Sequence, residues 1–404
     1  MFNRSISRFY CSRIGLSLAC TAVAVVGCST KPLEYRENLL HAASLQQGES
    51  PDAVQQLAAS AKQQVEEVLG TLDEPKWPDG IANPLDWAKV MRSAGPVGRD
   101  HTKIERGLYR KHCVQCHGLT GDGMGPAASL LAPYPRDFRR GTFKFKSTPI
   151  GKKPTHADIV RTIQEGIPGT SMPAFGSLNH TKEFAEDVDA MAHYVRFLAI
   201  RGEVERRCIQ AQANDDQADT IVLEELKRVA QGWSDADSHV VVPPTCGEPE
   251  TDAQRMESAK RGGVLFQSEL TACVKCHGPE ARGDGTSKDF DDWTKDWTIR
   301  AGINPESKQE WKTQKKFGAL KPVIDPARNL HLGVFRGGAT RKDIAMRLIL
   351  GIEGSPMPPI ARSQNGNPGL TDAELCDLVE YVYGLSRSSA SPLPTSEVKH
   401  ASGE

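Results

Sequence analysis

Aromatic residues are scarce in this 404-residue chain, at 6%, whereas glycine (36) and proline (26) are plentiful. That mix favours short helices joined by long ordered loops. No run of about 18 or more apolar residues occurs, which excludes a transmembrane helix. Neither sign of charge dominates: 50 basic residues stand against 51 acidic ones, a formal net charge of -1. A global field steering the chain to nucleic acid or membrane is therefore excluded. What remains is ordinary globular composition, 38% hydrophobic and 25% charged, with length enough for two or three domains. Ten cysteines are present, and four of them decide the reading.

The N-terminus is patterned. Arg4, Arg8 and Arg13 precede an apolar run from Ile14 to Gly27, and no acid lies among them. A positive region, an apolar stretch too short to span a bilayer and a small residue form the layout of an export signal. The run ends Val25-Val26-Gly27-Cys28, which resembles the bacterial lipoprotein cleavage box; Cys20 fits that box less well. We expect residues 1–27 to be a lipoprotein-type signal peptide and Cys28 to be lipidated. The alternative is an ordinary signal peptide with Cys28 incidental. The expected location is the periplasmic side, where cysteines can pair.

Cys113-Val114-Gln115-Cys116-His117 is a Cys-x-x-Cys-His motif, and Cys273-Val274-Lys275-Cys276-His277 repeats it. Two thiols three residues apart on a helical turn can form thioethers to neighbouring vinyl groups of one haem. The following histidine is then placed beneath the iron. A zinc site needs four ligands, usually from two pairs close together, and these pairs are 160 residues apart. A redox dithiol belongs in a βαβ setting, which the sequence does not suggest.

The motifs belong to a longer duplication. Leu108-Tyr109 and Leu265-Phe266 precede them. Gly118 and Gly278 follow them, and Gly121-Asp122-Gly123 matches Gly283-Asp284-Gly285. Arg136-Asp137-Phe138 with Gly141 and Phe143 matches Arg328-Asn329-Leu330 with Gly333 and Phe335. Residues 158–173 align without a gap on 343–358, with seven of sixteen positions identical. Both blocks end in Met-Pro, at Met172 and Met357. Thioether sulfur is a soft ligand suited to haem iron, so these two methionines are the expected distal ligands; the bland alternative is core filling. Met124 lies too near His117 to compete. His112, His156, His180 and His193 near the first motif, and His239 and His331 near the second, are read as surface histidines.

Each segment resembles a class I cytochrome c domain. The chain as a whole resembles an exported dihaem c-type cytochrome, including the dihaem subunits associated with bacterial respiratory haem–copper oxidases. The resemblance covers about residues 101–200 and 256–386 and implies an all-α fold: a helix ending at the motif, a long loop carrying methionine and a final helix crossing the first. Val188–Leu198 and Thr371–Leu385 have helical apolar spacing suited to that last helix, and Thr371-Asp372-Ala373-Glu374 reads as a capping box. The resemblance also implies that a carbonyl at Gly125-Pro126 holds the other ring nitrogen of His117. The second copy has Gly285-Thr286, which leaves the partner of His277 unassigned. An insertion between Gly285 and Arg328 carries Trp293, Trp297 and Trp311, as either a haem-edge shield or a contact surface.

The remaining segments are connectors. Residues 28–100 are expected to form a helical extension, with a helix at Pro51–Val68, acting as a tether or a cap. Residues 201–255 are expected to form a helical connector, with a helix at Asp219–Ala230. A Cys208–Cys246 disulfide is expected to close this connector, with two separate thiols as the alternative, and Cys376, on the final helix, reads as a core residue without a partner. Residues 387–404, rich in serine and proline, read as a disordered tail. The basic stretch from Arg136 to Lys153 suggests either haem carboxylates and an acidic redox partner or a solvated loop. The function expected is single-electron relay between a quinol-oxidising complex or dehydrogenase and a terminal oxidase. Two covalent haems, each His/Met ligated, would carry it without catalytic residues. The alternative is a dihaem redox enzyme, a peroxidase or thiosulfate-type dehydrogenase. A haem protein of structural or sensory role is a third reading.

Overall fold

The computed structural model of the protein describes residues 33–177, 182–214, 221–363 and 368–388. The expected signal peptide with Cys28, His180, and all but the first residues of the C-terminal tail lie outside the described residues.

Among the described residues the architecture is α-helical with one minimal hairpin. The extension holds α1 (Leu39–Leu45), α2 (Pro51–Leu69) and α3 (Trp87–Ser93). Ser50 starts α2 by accepting the Ala53 N–H on its side chain, and Pro51 occupies the first turn, where its missing N–H costs nothing. The hairpin β1 (Gly98–Arg99) and β2 (Glu105–Arg106) leads into α4 (Leu108–His112) and α5 (Val114–His117), which carry the first motif. Then come α6 (His156–Glu165), α7 (Lys182–Ala213) and α8 (Ile221–Ser234).

The long helix α7 is the axle of this half. Residues 190–205 are buried without interruption, because α1, α2, α3, α4, α6 and α8 pack around it. A helix surrounded in this way has no polar face to spare, and its buried charges must pair. Arg201 and Glu205 do so one turn apart, with Arg201 also stacked 3.5 Å from the Tyr35 ring centroid. One apolar core runs from Tyr35 through Val54, Leu69, Tyr109 and Leu198 to Trp233. The extension is thus built into the first domain as a cap, and a tether does not describe its residues 35–94. The boundary expected at 200/201 falls inside α7.

The second half comprises α9 (Asp252–Gln267), α10 (Val274–His277), α11 (Asp292–Arg300), α12 (Lys308–Lys312), α13 (Arg341–Leu350) and α14 (Asp372–Ser388). The capping box at Thr371 is formed: Glu374 N–H donates to the Thr371 hydroxyl, and the Glu374 carboxylate accepts the Thr371 N–H. Helices α9 and α14 cross closely at Gly262, where a Cβ would lie 2.0 Å from the Asp377 carbonyl oxygen. The Asp377 carboxylate accepts from Ser258 and Arg261, in the turn of α9 that leads into that contact. A separate core of Phe266, Ile344, Leu348, Leu375 and Leu378 forms here.

Two cysteine readings are corrected. Cys246 is bonded to Cys376 on α14, not to Cys208, and the bridge spans 130 residues. Cys208 is a buried free thiol on α7, and burial pushes it up to about 12. Sequence proximity favoured the wrong pair because both cysteines lie in the connector, whereas pairing requires Cα atoms within reach, here 5.1 Å.

No helix among the described residues is long and apolar enough to cross a membrane.

Candidate haem sites

The two motifs fold alike. In the first, Cys116 N–H and His117 N–H both return to the Cys113 carbonyl, closing one tight turn; Gly118 ends it at φ 73°. Cys276 and His277 bond to the Cys273 carbonyl in the same way, and Gly278 ends that turn at φ 75°. The four cysteines are unbridged and half-buried. Each turn sets two thiols and a histidine together.

The histidines are oriented by backbone. The Nδ1 of His117 lies 3.1 Å from the Arg136 carbonyl, and the Nδ1 of His277 lies 3.1 Å from that of Arg328. A carbonyl can only accept, so Nδ1 carries the proton and Nε2 keeps its lone pair for a metal. Burial depresses His117 to about 4, against a smaller upward pull from the Arg136 carbonyl, and burial depresses His277 too. Both rings are therefore neutral, as iron ligation requires. This corrects the expected role of Gly125-Pro126. The Gly125 N–H instead donates to the Cys116 carbonyl, and Gly285 does the same to Cys276. The missing second proline thus leaves no gap, and His277 has its partner in Arg328.

The glycine match is also corrected. Phe138 N–H bonds to Gly121 O and Leu330 N–H to Ala281 O, while Gly123 N–H and Gly283 N–H reach the carbonyls of His117 and His277. Gly121 therefore corresponds to Ala281, and Gly123 to Gly283. A Cβ at Gly121 would meet the Phe138 ring at 2.8 Å. Ala281 is accommodated because Leu330 stands where Phe138 does. It nevertheless holds φ at 56°, in the left-handed region.

The methionine loops repeat in detail. Ile167 N–H bonds to Met172 O, and Ile352 N–H to Met357 O. Thr170 Oγ1 donates to Ile167 O and accepts from Met172 N; Ser355 Oγ does both for Ile352 and Met357. Met172 lines one cavity with Cys113, Cys116 and His117. Met357 packs with Cys273 against the second core.

That cavity suits a porphyrin. Leu131, Phe138, Ile159, Ile163 and Val195 form apolar wall, while Arg136, Trp293 and Arg336 add polar groups. Two donors of residues lining this cavity, Trp293 Nε1 and Arg336 Nε, are buried without a hydrogen-bond partner in the protein. Buried donors are ordinarily satisfied, so orphans beside an apolar cavity fit a flat apolar ligand bearing carboxylates.

Three readings of charged and histidine residues change. The basic stretch from Arg136 to Lys153 is neither a solvated loop nor a free docking face. Arg139 pairs with Asp137, Arg140 with Asp292, Lys144 with Asp325, Lys146 with Glu353 and Lys153 with Glu203. His193 is buried and accepts the Asp86 N–H on Nδ1; burial depresses it to about 4. His112 and His156 are half-buried. His156, Asp189 and His193 gather close enough to hold a cation. Accepting at Nδ1, however, leaves a neutral His193 protonated at Nε2, and Asp189 is already engaged by His156 and Lys89.

Residues 102–195 match the family described as cytochrome C oxidase, cbb3-type, subunit III. The match takes in Cys113, Cys116, His117 and Met172. Residues 102–195 carry a c-type cytochrome domain. Such a domain binds haem c covalently and transfers electrons. The matched segment is under half of the chain and ends before the second motif. No curated protein is detectably similar in sequence. A chain of the Kuenenia stuttgartiensis reducing HAO-like protein complex aligns at 26% identity, covering 69% of this chain and 94% of its own, with a TM-score of 0.42. Outside that domain, the insertion's Trp293 is evident in the sequence, but only the fold places it in the cytochrome domain's cavity. Only its tryptophan content hinted at a buried role.

Proposed function

We propose that the protein is an exported dihaem cytochrome that relays single electrons between respiratory redox partners. One observation carries the reading: the histidine–carbonyl bond, the motif turn and the methionine loop recur residue for residue in the second half. In this reading Cys113 and Cys116 would anchor one haem covalently, and His117 and Met172, which line the same cavity, would hold its iron. Cys273 and Cys276 would anchor the other, with His277 and Met357. Haem iron supplies a centre that cycles between ferric and ferrous.

The chain's own residues do the rest. Arg136 O and Arg328 O fix the imidazole tautomer and ring direction, which strengthens each histidine as a ligand. The Thr170 and Ser355 hydroxyls brace the loops that present sulfur. The apolar walls keep water from the iron and, with methionine ligation, favour a high potential. If His117 with Met172, and His277 with Met357, hold the two irons, no protein-free coordination position would remain for a substrate. This favours a carrier over a peroxidase or thiosulfate-type dehydrogenase. The Cys246–Cys376 disulfide supports an oxidising compartment, and with it placement on the periplasmic side; the lipid anchor at Cys28 rests on the Val25-Val26-Gly27-Cys28 cleavage box. The donor is a quinol-oxidising complex or dehydrogenase, and the acceptor a terminal oxidase.

The test is an optical spectrum of the haem-loaded protein in both oxidation states, with haem counted per chain and carbon monoxide added last. Two haems, a ferric methionine–iron band and no carbon monoxide shift are expected. An iron that binds carbon monoxide would replace the carrier reading with an enzymatic one for that domain.

A further inference from the structure

Arg136 does two things at once. Its carbonyl holds His117, and its guanidinium lies over Gly354, where a Cβ would come within 3.1 Å of Nη2. Gly354 is three residues before Met357, in the other half of the molecule. Arg328 does the converse. Its carbonyl holds His277, and its Nη2 is 3.4 Å from the carbonyl of Gly169, three residues before Met172. Each arginine therefore joins the histidine of its own domain to the methionine loop of the other.

A third contact is one-sided. Trp293, from the insertion in the second half, lines the first domain's cavity and presents a buried Nε1–H that no protein group accepts. Its position is held firmly. Asp291 caps the start of α11, and Arg140 grips the same turn through both the carbonyl and the carboxylate of Asp292. Nothing in the first half corresponds to this insertion.

We infer that the two haems form one coupled redox unit, each tuned by residues of the opposite domain: Arg136 and Arg328 are the reciprocal link, and Trp293 is a positioning donor from the second half to the carboxylates of the first haem. The inference rests on the dihaem reading above. A cation or an N–H donor beside a haem disfavours the extra positive charge of the ferric state, so losing either lowers the potential. Because coupling between two sites is reciprocal in free energy, oxidising either haem shifts the other by the same amount.

The experiment is a spectroelectrochemical titration of the full-length haem-loaded protein, with haem per chain measured for every variant. Met172→His and Met357→His assign the two waves, since replacing methionine lowers a haem's own potential. Trp293→Phe is expected to lower the first haem's wave and leave the second in place. Arg328→Leu is expected to lower the first haem's wave although the residue belongs to the second half, and Arg328→Lys, which keeps the charge, to restore most of it. First-haem waves that coincide with the parent protein in both Trp293→Phe and Arg328→Leu would overturn the coupling. So would Arg328→Lys behaving like Arg328→Leu, since the effect would then be structural. Fewer than two haems per chain in the parent, or carbon monoxide binding, would instead refute the dihaem carrier reading itself.

Discussion

In the first domain the helix that delivers the Cys-x-x-Cys-His motif is five residues long; in the second it has sixteen. The short one is stable only because α7 and the N-terminal extension enclose it, with Tyr109 packed 5.2 Å from Tyr194. The long one brings its own contact surface and crosses α14 at Gly262, with Phe266 5.2 Å from Tyr381. Around the motifs the hydrogen bonds are the same. The difference teaches that local geometry at the ligands is kept while the source of burial changes. The first half draws on a large shared core, and the second on a smaller core with a disulfide.

That contrast can be broken. Replacing the bridge, Cys246→Ser with Cys376→Ser, removes the cross-link that constrains 130 residues of unfolded chain. Stability of the second domain should fall by about 2–5 kcal/mol. Calorimetry is expected to resolve a lower transition for the second half, with the first half's transition little changed. A single unshifted transition would show that the small core suffices alone.

The contrast can be sharpened with pH. His193 is depressed from the ordinary 6.5 to about 4 by burial, and His41 well below its ordinary value for the same reason. Both lie in the first domain, and no histidine of the second is buried to that degree among the described residues. A histidine held neutral in the fold binds a proton only on unfolding, so its stabilisation is full above about 6.5 and is lost as pH falls towards 4. Each such group steepens the loss by up to ~1.4 kcal/mol per pH unit. His193→Gln should flatten the first domain's acid profile and leave the second's unaltered; equal slopes with and without His193 would contradict the assignment.

The smallest effect separates the paired positions Gly121 and Ala281. Ala281→Gly removes a left-handed alanine and should stabilise the second domain by about 0.5–1 kcal/mol, after the cost of a freer unfolded chain. Urea titration followed by haem absorbance measures it. Gly121→Ala, facing Phe138, should destabilise.

Much of this was legible in advance. The motifs, the methionine loops, the helices at Pro51 and Asp372 and the correspondence of Arg136 with Arg328 all follow from residue type and spacing. The sequence misplaces the partner of His117 and leaves that of His277 unassigned because any residue offers the same carbonyl, so only the path of the chain selects Arg136 over Gly125-Pro126 and brings Arg328 to His277. The fate of the basic stretch was hidden because its partners Asp292, Asp325 and Glu353 come from the far half of the sequence. Cys376 stood alone for the same reason: nothing in its neighbours points to Cys246.

Helix α7 has a consequence for how the chain comes together. The extension, near residues 35–72, packs against α7 and α8, whose last core residue is Trp233. A chain emerging from its N-terminus must therefore expose Val54, Leu57 and Val65 until well over a hundred further residues have followed. Contacts so distant along the chain form slowly. The first Cys-x-x-Cys-His, at Cys113–His117, thus precedes in the chain the α7 and α8 residues that complete its core, and its domain cannot close until they have followed.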